Sequence, residues 1–178
     1  SSAGRPVMFV ETRVVDDDMR DVAPGEIGEI VHRSPQLLMR YYRAPELTAA
    51  AFAGGWFHSG DLATRDAEGY ITIVDRKKDM INSGGENVSS REVEEAIYGH
   101  PAVSEVAVIG LPDIKWVERV CAVVVFNHGH TATVEEIMAY CGDLAPFKRP
   151  KQIVFLDTLP KNPSGKILKR ELRLQLSE

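Results

Sequence analysis

Three short stretches of the chain combine reactive side chains with the backbone freedom that ligand chemistry needs: GWFHSGDLA at 55–63, DRKKDMINSGGEN at 75–87 and LPKNPSGKI at 159–167. Asp61 follows a glycine at a strand-to-turn junction, where a carboxylate can accept two hydrogen bonds from vicinal hydroxyls. A turn-capping aspartate would have the same local sequence. Arg76 carries a planar fork of donors that suits ribose and phosphate oxygens, or an exposed ion pair. Gly84 and Gly85 permit positive φ and close approach of backbone to a ligand, which a plain hairpin turn would also require. Lys166 comes after Asn162, Pro163, Ser164 and Gly165, turn formers that fix the backbone while a flexible stem carries a point charge outward. The stretch is not a phosphate-binding P-loop, because Pro160 stands where the first glycine belongs and Ile167 replaces the required Ser or Thr.

Other polar residues carry less. His128 and His130 are two apart in FNHGHT, which reads as a turn, and no third ligand accompanies them at metal-site spacing, so no metal site is assigned. The basic terminal run KILKREL has Ile167, Leu168, Leu172 and Leu176 along one face and reads as a docked helix, not a nucleic-acid surface.

The elements that position these stretches follow from hydrophobic period and turn chemistry. Residues 7–15 alternate as a strand, an acidic turn with Pro24 and Gly25 follows, and IGEIVHR reads as the returning strand. Pro45 begins a short helix, and residues 54–75 read as two strands joined by a polar turn. Beyond the charged run at 75–79, Ser89 with Glu92 fits a capping box for a helix whose apolar face is Val93, Ala96 and Ile97. VSEVAVIG and ERVCAVVVF are strands, the second continuously apolar and therefore central in its sheet. Val134, Ile137, Met138 and Cys141 mark a further amphipathic helix, KQIVFLD a third strand, and 167–176 a last helix. The class expected is α+β, with a mostly β region over 1–75, an α+β unit over 76–178 and a boundary at 75–78.

With 178 residues, 44% of them hydrophobic and 26% charged, the chain is long enough for one ordinary domain or two small ones. A net charge of -5 supplies no general basic field for nucleic acid. No run approaches the ~20 apolar residues of a membrane span. The N-terminus has neither basic start nor apolar signal core, and the two cysteines sit at apolar positions typical of reduced thiols, so a cytoplasmic compartment is expected.

Together with GRPV at 4–7, APGEIGEI at 23–30 and LAPFKRPKQI at 144–153, all in the same order, the three stretches resemble the adenylate-forming (AMP-binding) superfamily. That superfamily includes acyl-CoA and aryl-CoA ligases, peptide-synthetase adenylation domains and beetle luciferases. MINSGGEN and SGGENVSSREVEE look most like fatty or medium-chain acyl-CoA ligases. The resemblance implies a two-step reaction: a carboxylic acid and MgATP give acyl-AMP and pyrophosphate, then the CoA thiol gives thioester and AMP. It implies that Asp61 holds the ATP ribose, that Arg76 joins it there, and that Gly84, Gly85 and Glu86 border the pantetheine arm of CoA. Lys78 falls at the family's hinge, and Lys166 at the catalytic lysine that meets the carboxylate and the α-phosphate. The family's Ser/Thr/Gly-rich phosphate loop and the acidic motif that helps hold Mg2+ are absent from these 178 residues. The chain is therefore expected to be the last part of the enzyme: the β-barrel-like end of the large domain, then a small mobile C-terminal domain, with the missing upstream part as its partner. The fragment alone is expected to be inactive. It departs from the family pattern at Arg40, where glycine is frequent, at His58, where threonine is more usual, and at Ser90, which replaces a common proline. An aryl-acid CoA ligase and a non-catalytic nucleotide-binding or interaction module remain as alternative readings.

Overall fold

The computed structural model describes residues 2–177, which divide into two compact units between Lys78 and Asp79. The first is a four-stranded antiparallel meander of β1 (Glu11–Val15), β2 (Gly28–Arg33), β3 (Phe57–Arg65) and β4 (Ile71–Arg76), in that spatial order. A short helix, α1 (Pro45–Ala51), lies between β2 and β3 with its proline in the first turn. Val14, Ile30, Ala63 and Ile71 pack on one face of the sheet, and Val15, Val31 and Trp56 on the other, as the two-residue period of a strand dictates. The sheet is open and no barrel closes. The chain at Ala3 and Gly4 adds an isolated bridge to Ile71 at the start of β4. The strand expected over residues 7–15 is only five residues long. Val10 N–H turns back to the Val7 carbonyl and Phe9 adopts φ 66, which breaks the extended run before Glu11.

The second unit contains β5 (Ile81–Ser83), β6 (Glu86–Val88), α2 (Ser90–Tyr98), β7 (Val103–Asp113), β8 (Val117–Phe126), α3 (Val134–Tyr140), β9 (Gln152–Phe155) and α4 (Lys169–Leu176). β8 is central: β7 runs antiparallel along one side, while β5 at its start and the parallel β9 further on share the other. Val120 to Val125 are accordingly all buried. Even-numbered residues of that run meet α2 and α3 through Val93, Ile97, Ile137 and Cys141, and odd-numbered residues meet Leu159 and Leu172 of the α4 side. Burial pushes the Cys121 thiol up to about 11 and raises Cys141 as well, so both stay protonated and unreactive.

Ser89 caps α2 by accepting from the Glu92 N–H at 3.3 Å. The reciprocal half of the expected box is replaced, because both Glu92 carboxylate oxygens accept from Lys148 Nζ at 2.7 Å. The complete box belongs to α3, where Thr133 and Glu136 exchange hydrogen bonds. Ser90, the departure from proline, is also explained. Its hydroxyl accepts from Lys169 Nζ at 2.7 Å, and the same ammonium pairs with Glu94, whose carboxylate accepts from Val108 N–H. Helix α4 is thus tied to α2 and β7 by charge as well as by Leu172. Among the described residues no helix is long and apolar enough to cross a membrane, and no cluster of metal-ligating side chains occurs.

Candidate functional site

Asp61 is placed by a bulge. β2 pairs with β3 at Glu29↔Leu62 and then at Val31↔His58, so Ser59, Gly60 and Asp61 oppose a single residue, Ile30. An extra residue on one strand bends it and re-aims its side chains. Ser59 Oγ donates to the Ile30 carbonyl and accepts from Asp61 N–H, and Gly60 takes φ 72, a conformation that costs a residue with a Cβ about 1–2 kcal/mol. On the other side Asp61 pairs in register with Arg76 of β4, whose Nε lies 2.6 Å from Asp61 Oδ1. The structure therefore brings Asp61 and Arg76 together as an ion pair, with the Arg76 side chain more than half exposed. Arg76, Lys77, Lys78 and Gly60 line a cavity of about 400 Å³ beside them. Its cationic lining suits an anionic ligand.

Glu29 holds this region from beneath. It is buried, with Oε1 accepting from Gly60 N–H at 3.2 Å and Oε2 from both His58 Nδ1 and Lys77 Nζ at 3.2 Å. Lys77 also reaches Asp17 at 2.7 Å. His58, one of the departures from the family pattern, bridges Glu29 to the Ala53 carbonyl. Burial pushes the Glu29 carboxyl up, but hydrogen bonds from His58 and Lys77 outweigh it and hold it below 4.5; the Lys77 hydrogen bond holds Asp17 below 3.8. Lys77 is raised above 10.5, chiefly by its hydrogen bond to Asp17. Carboxylates held low contribute stability that is present above their unfolded values and lost as pH falls through the folded ones. The raised lysine contributes below 10.5 and is lost as pH rises through its folded value. Thermal unfolding of the chain should therefore show an acid decline that is shallower in Glu29→Gln than in the parent, and melting midpoints from pH 3 to 7 measure it. Equal slopes would mean that the Glu29 carboxylate stabilises nothing.

In the second unit, Gly84 and Gly85 form the two-residue turn between β5 and β6, with φ 65 and 88. Positive φ at both positions is the turn type that matches strand twist. The close approach at Gly84 is to the protein itself, since a Cβ there would meet Trp116 Cε3 at 2.9 Å. Gly84 N–H donates to the Trp116 carbonyl. At Gly85 a Cβ meets nothing, so that side of the turn faces open space, with exposed Glu86 next to it. Two features here escaped the sequence. Ser83 Oγ is buried without a hydrogen-bond partner among the described residues. Trp116 carries two ammonium groups over its ring, Lys115 at 4.6 Å and Lys151 at 5.5 Å. A lysine beside a tryptophan 31 residues after the glycine pair had no local pattern to reveal it.

Lys166 sits on a loop closed by one side chain. Asn162 Oδ1 accepts from Ser164 N–H, Ser164 Oγ and Lys166 N–H, while Asn162 N–H returns to the Lys166 carbonyl and Gly165 takes φ 81. The backbone is fixed and the exposed ammonium has no ion-pair partner among the described residues. The loop is anchored by the pair Lys161–Glu105 at 2.6 Å, near the start of β7. The Gly84–Gly85 turn is anchored to Trp116 and Val117, and Val117 pairs with Asp113 at the other end of β7. At ~3.3 Å per residue, these two anchors are roughly 25 Å apart.

Two family models match the chain: "AMP-binding enzyme" over residues 1–42 and "AMP-binding enzyme C-terminal domain" over 92–166. The long-chain-fatty-acid–CoA ligase FadD13 of Mycobacterium tuberculosis is 50% identical over 177 residues, covering 99% of this chain and 35% of that protein. A feruloyl-CoA synthase of Amycolatopsis is 48% identical, covering 97% of this chain and 35% of its own length. The crystal structure of ATP-bound MatB from Rhodopseudomonas palustris superposes with a TM-score of 0.91 at 37% identity, covering 99% of this chain and 36% of that one. The chain thus spans about a third of the length of the curated relatives it matches.

Proposed function

This chain belongs to the AMP-binding enzyme family, and from that premise we propose that it is part of an AMP-forming acyl-CoA synthetase of the cytoplasm, acting on a fatty acid. The reaction joins a carboxylate to the α-phosphate of MgATP, releases pyrophosphate, and then transfers the acyl group from AMP to the sulfur of CoA. Asp61 accepts from the ribose hydroxyls through the carboxylate oxygen that Arg76 leaves available, and Arg76 serves the ribose and phosphate side of the cationic cavity. Lys166 supplies positive charge to the carboxylate and α-phosphate as negative charge concentrates there. Mg2+ would be held by residues upstream of this chain. The Gly84–Gly85 turn and Glu86 border the pantetheine arm, with the lysines on Trp116 facing its anionic end.

The observation that carries this reading is the separation within the second unit. One end presents a free ammonium on a rigid loop and the other an open glycine turn with an orphaned hydroxyl, roughly 25 Å apart along β7. Two such ends serve one reaction centre only in succession, so residues 79–178 act as a mobile lid that swivels at Lys78. The similarity to a feruloyl-CoA synthase favours a second reading, an aryl acid as substrate.

A full-length ligase carrying this chain, given ATP and a panel of fatty and aryl acids, should exchange pyrophosphate into ATP with one acid class and release AMP only when CoA is added. The 178 residues alone should make no thioester. AMP release that ignores both acid and CoA, or thioester synthesis by the 178 residues, would remove the proposal.

A further inference from the structure

The hairpin of β5 and β6 carries the Gly84–Gly85 turn, yet little backbone joins it to the rest of its sheet. Ile81 and Val88 anchor its base in the core. Beyond them β5 meets β8 at a single residue pair, Ser83↔Val117. Val117 takes φ 67 there, a region in which a β-branched residue is strained. Beside this weak joint lies a side-chain contact. Glu118 Oε2 accepts from Asn82 N–H at 2.8 Å, so a carboxylate of β8 stands where a neighbouring strand would offer a carbonyl. Gly110 of β7 makes room for it. Gly110 pairs in register with Val120 and is not among the positive-φ glycines, so its backbone does not call for glycine, and glycine inside a strand weakens it. A Cβ at 110 would lie 2.7 Å from Glu118 Oε1 and 3.0 Å from Oε2. The bare backbone of Gly110 is thus the space in which the Glu118 carboxylate lies.

We propose that Glu118, lodged against Gly110, is the positioning residue of the Gly84–Gly85 turn in the thioester-forming step, which rests on the function proposed above. It acts through Asn82 and β5, and the turn does the contacting. Without the carboxylate, Asn82 N–H loses the acceptor that ties β5 to β8 from the side-chain layer, and the turn samples other positions. A ligand then meets the competent turn only part of the time, and its apparent affinity falls by that fraction. Glutamine has the same length and keeps an oxygen for Asn82 N–H, so Glu118→Gln preserves the tie. Alanine at 110 displaces the carboxylate without removing it, so it should act as Glu118→Ala does. Once the carboxylate is gone, the same alanine meets no obstacle.

The tie itself can be tested without turnover. Hydrogen exchange at Asn82 N–H in the 178-residue chain should quicken about tenfold in Glu118→Ala and in Gly110→Ala, the scale for losing a hydrogen bond to a charged group. In Glu118→Gln it should stay within about threefold of the parent, because a neutral acceptor replaces a charged one. Unchanged exchange in Glu118→Ala, or exchange in Glu118→Gln as fast as in Glu118→Ala, overturns the proposal. In the full-length protein, Glu118→Ala should raise the KM for CoA about tenfold while kcat and ATP–pyrophosphate exchange stay within about twofold, the pattern of lost binding. Glu118→Gln should recover most of that KM. Gly110→Ala should match Glu118→Ala, and the double variant should be no worse than either, since the two substitutions break one contact. Losses that add in the double variant, or that fall equally on pyrophosphate exchange and thioester formation, would make Glu118 a general fold contact and overturn the proposal. A parent protein with no ligase activity would instead remove the proposed function, and amide exchange alone would then decide whether Glu118 positions the turn.

Discussion

Replacing Lys166 by alanine in a full-length ligase carrying this chain should slow adenylate formation by about 10²-fold or more, the scale for losing one preorganised charge partner in a transition state. The size of the effect follows from how the lysine is held. Asn162 fixes the loop backbone through three accepted hydrogen bonds, so the ammonium is delivered without reordering the chain. No acidic neighbour among the described residues competes for it. Thioester formation from supplied acyl-AMP should be nearly unchanged, because the proposed function assigns that half-reaction to the other end of β7. Lys166→Arg should recover only part of the loss, since a planar guanidinium does not reproduce a compact point charge. Single-turnover measurement of acyl-AMP formation, with melting curves on the same preparations, decides the matter. A loss shared equally by both half-reactions would assign Lys166 a structural role.

The second large effect is expected at Lys78. Proline there fixes φ near −65°, removes an N–H and pushes Lys77 towards extended conformations. Lys77 ends β4's run into a single helical turn over Lys77–Asp79, and the chain on either side is anchored by Glu29 and Arg173. One orientation of the second unit should therefore be lost. On the proposed two-orientation reading the adenylating orientation takes the extended linker, so ATP–pyrophosphate exchange should persist within about threefold while thioester synthesis falls by about 10²-fold, the scale for reacting groups held out of position. A fall in both activities together with the melting temperature would instead mean that the substitution damages the fold. A stable variant retaining both activities would place the pivot elsewhere.

Much of this architecture could be read from local sequence because its signals are periodic. The continuous apolar run of β8 specifies a strand buried on both faces, and Val93 with Ile97, or Leu172, marks the inward side of a helix. The glycine pair at 84–85 specifies its turn through backbone sterics alone. What local pattern could not show depends on partners far along the chain. Glu92 is drawn from its own helix cap to Lys148, 56 residues away, because a charged bidentate contact outcompetes a backbone N–H. The bulge at Ser59–Asp61 arises where β2 and β3 lose register, which neither strand records by itself. Glu29, His58, Lys77 and Asp17 converge from two strands, the helical turn after β4 and a loop. His58 and Ser90 looked like neutral departures from a pattern, and each turns out to have a specific hydrogen-bond partner.

One experiment bears most directly on the idea that the two ends of the second unit serve separate half-reactions. In full-length protein, Lys166→Ala and Gly85→Val are assayed side by side for acid-dependent exchange of labelled pyrophosphate into ATP and for thioester formation from acyl-AMP and CoA. Valine at 85 places a branched side chain in the open space beside the turn, at φ 88 where a β-branched residue is strained, so melting curves accompany both assays. The expected result is a crossover: Lys166→Ala loses exchange and keeps thioester formation, and Gly85→Val keeps exchange and loses thioester formation. Proportional loss of both activities in both variants would contradict it.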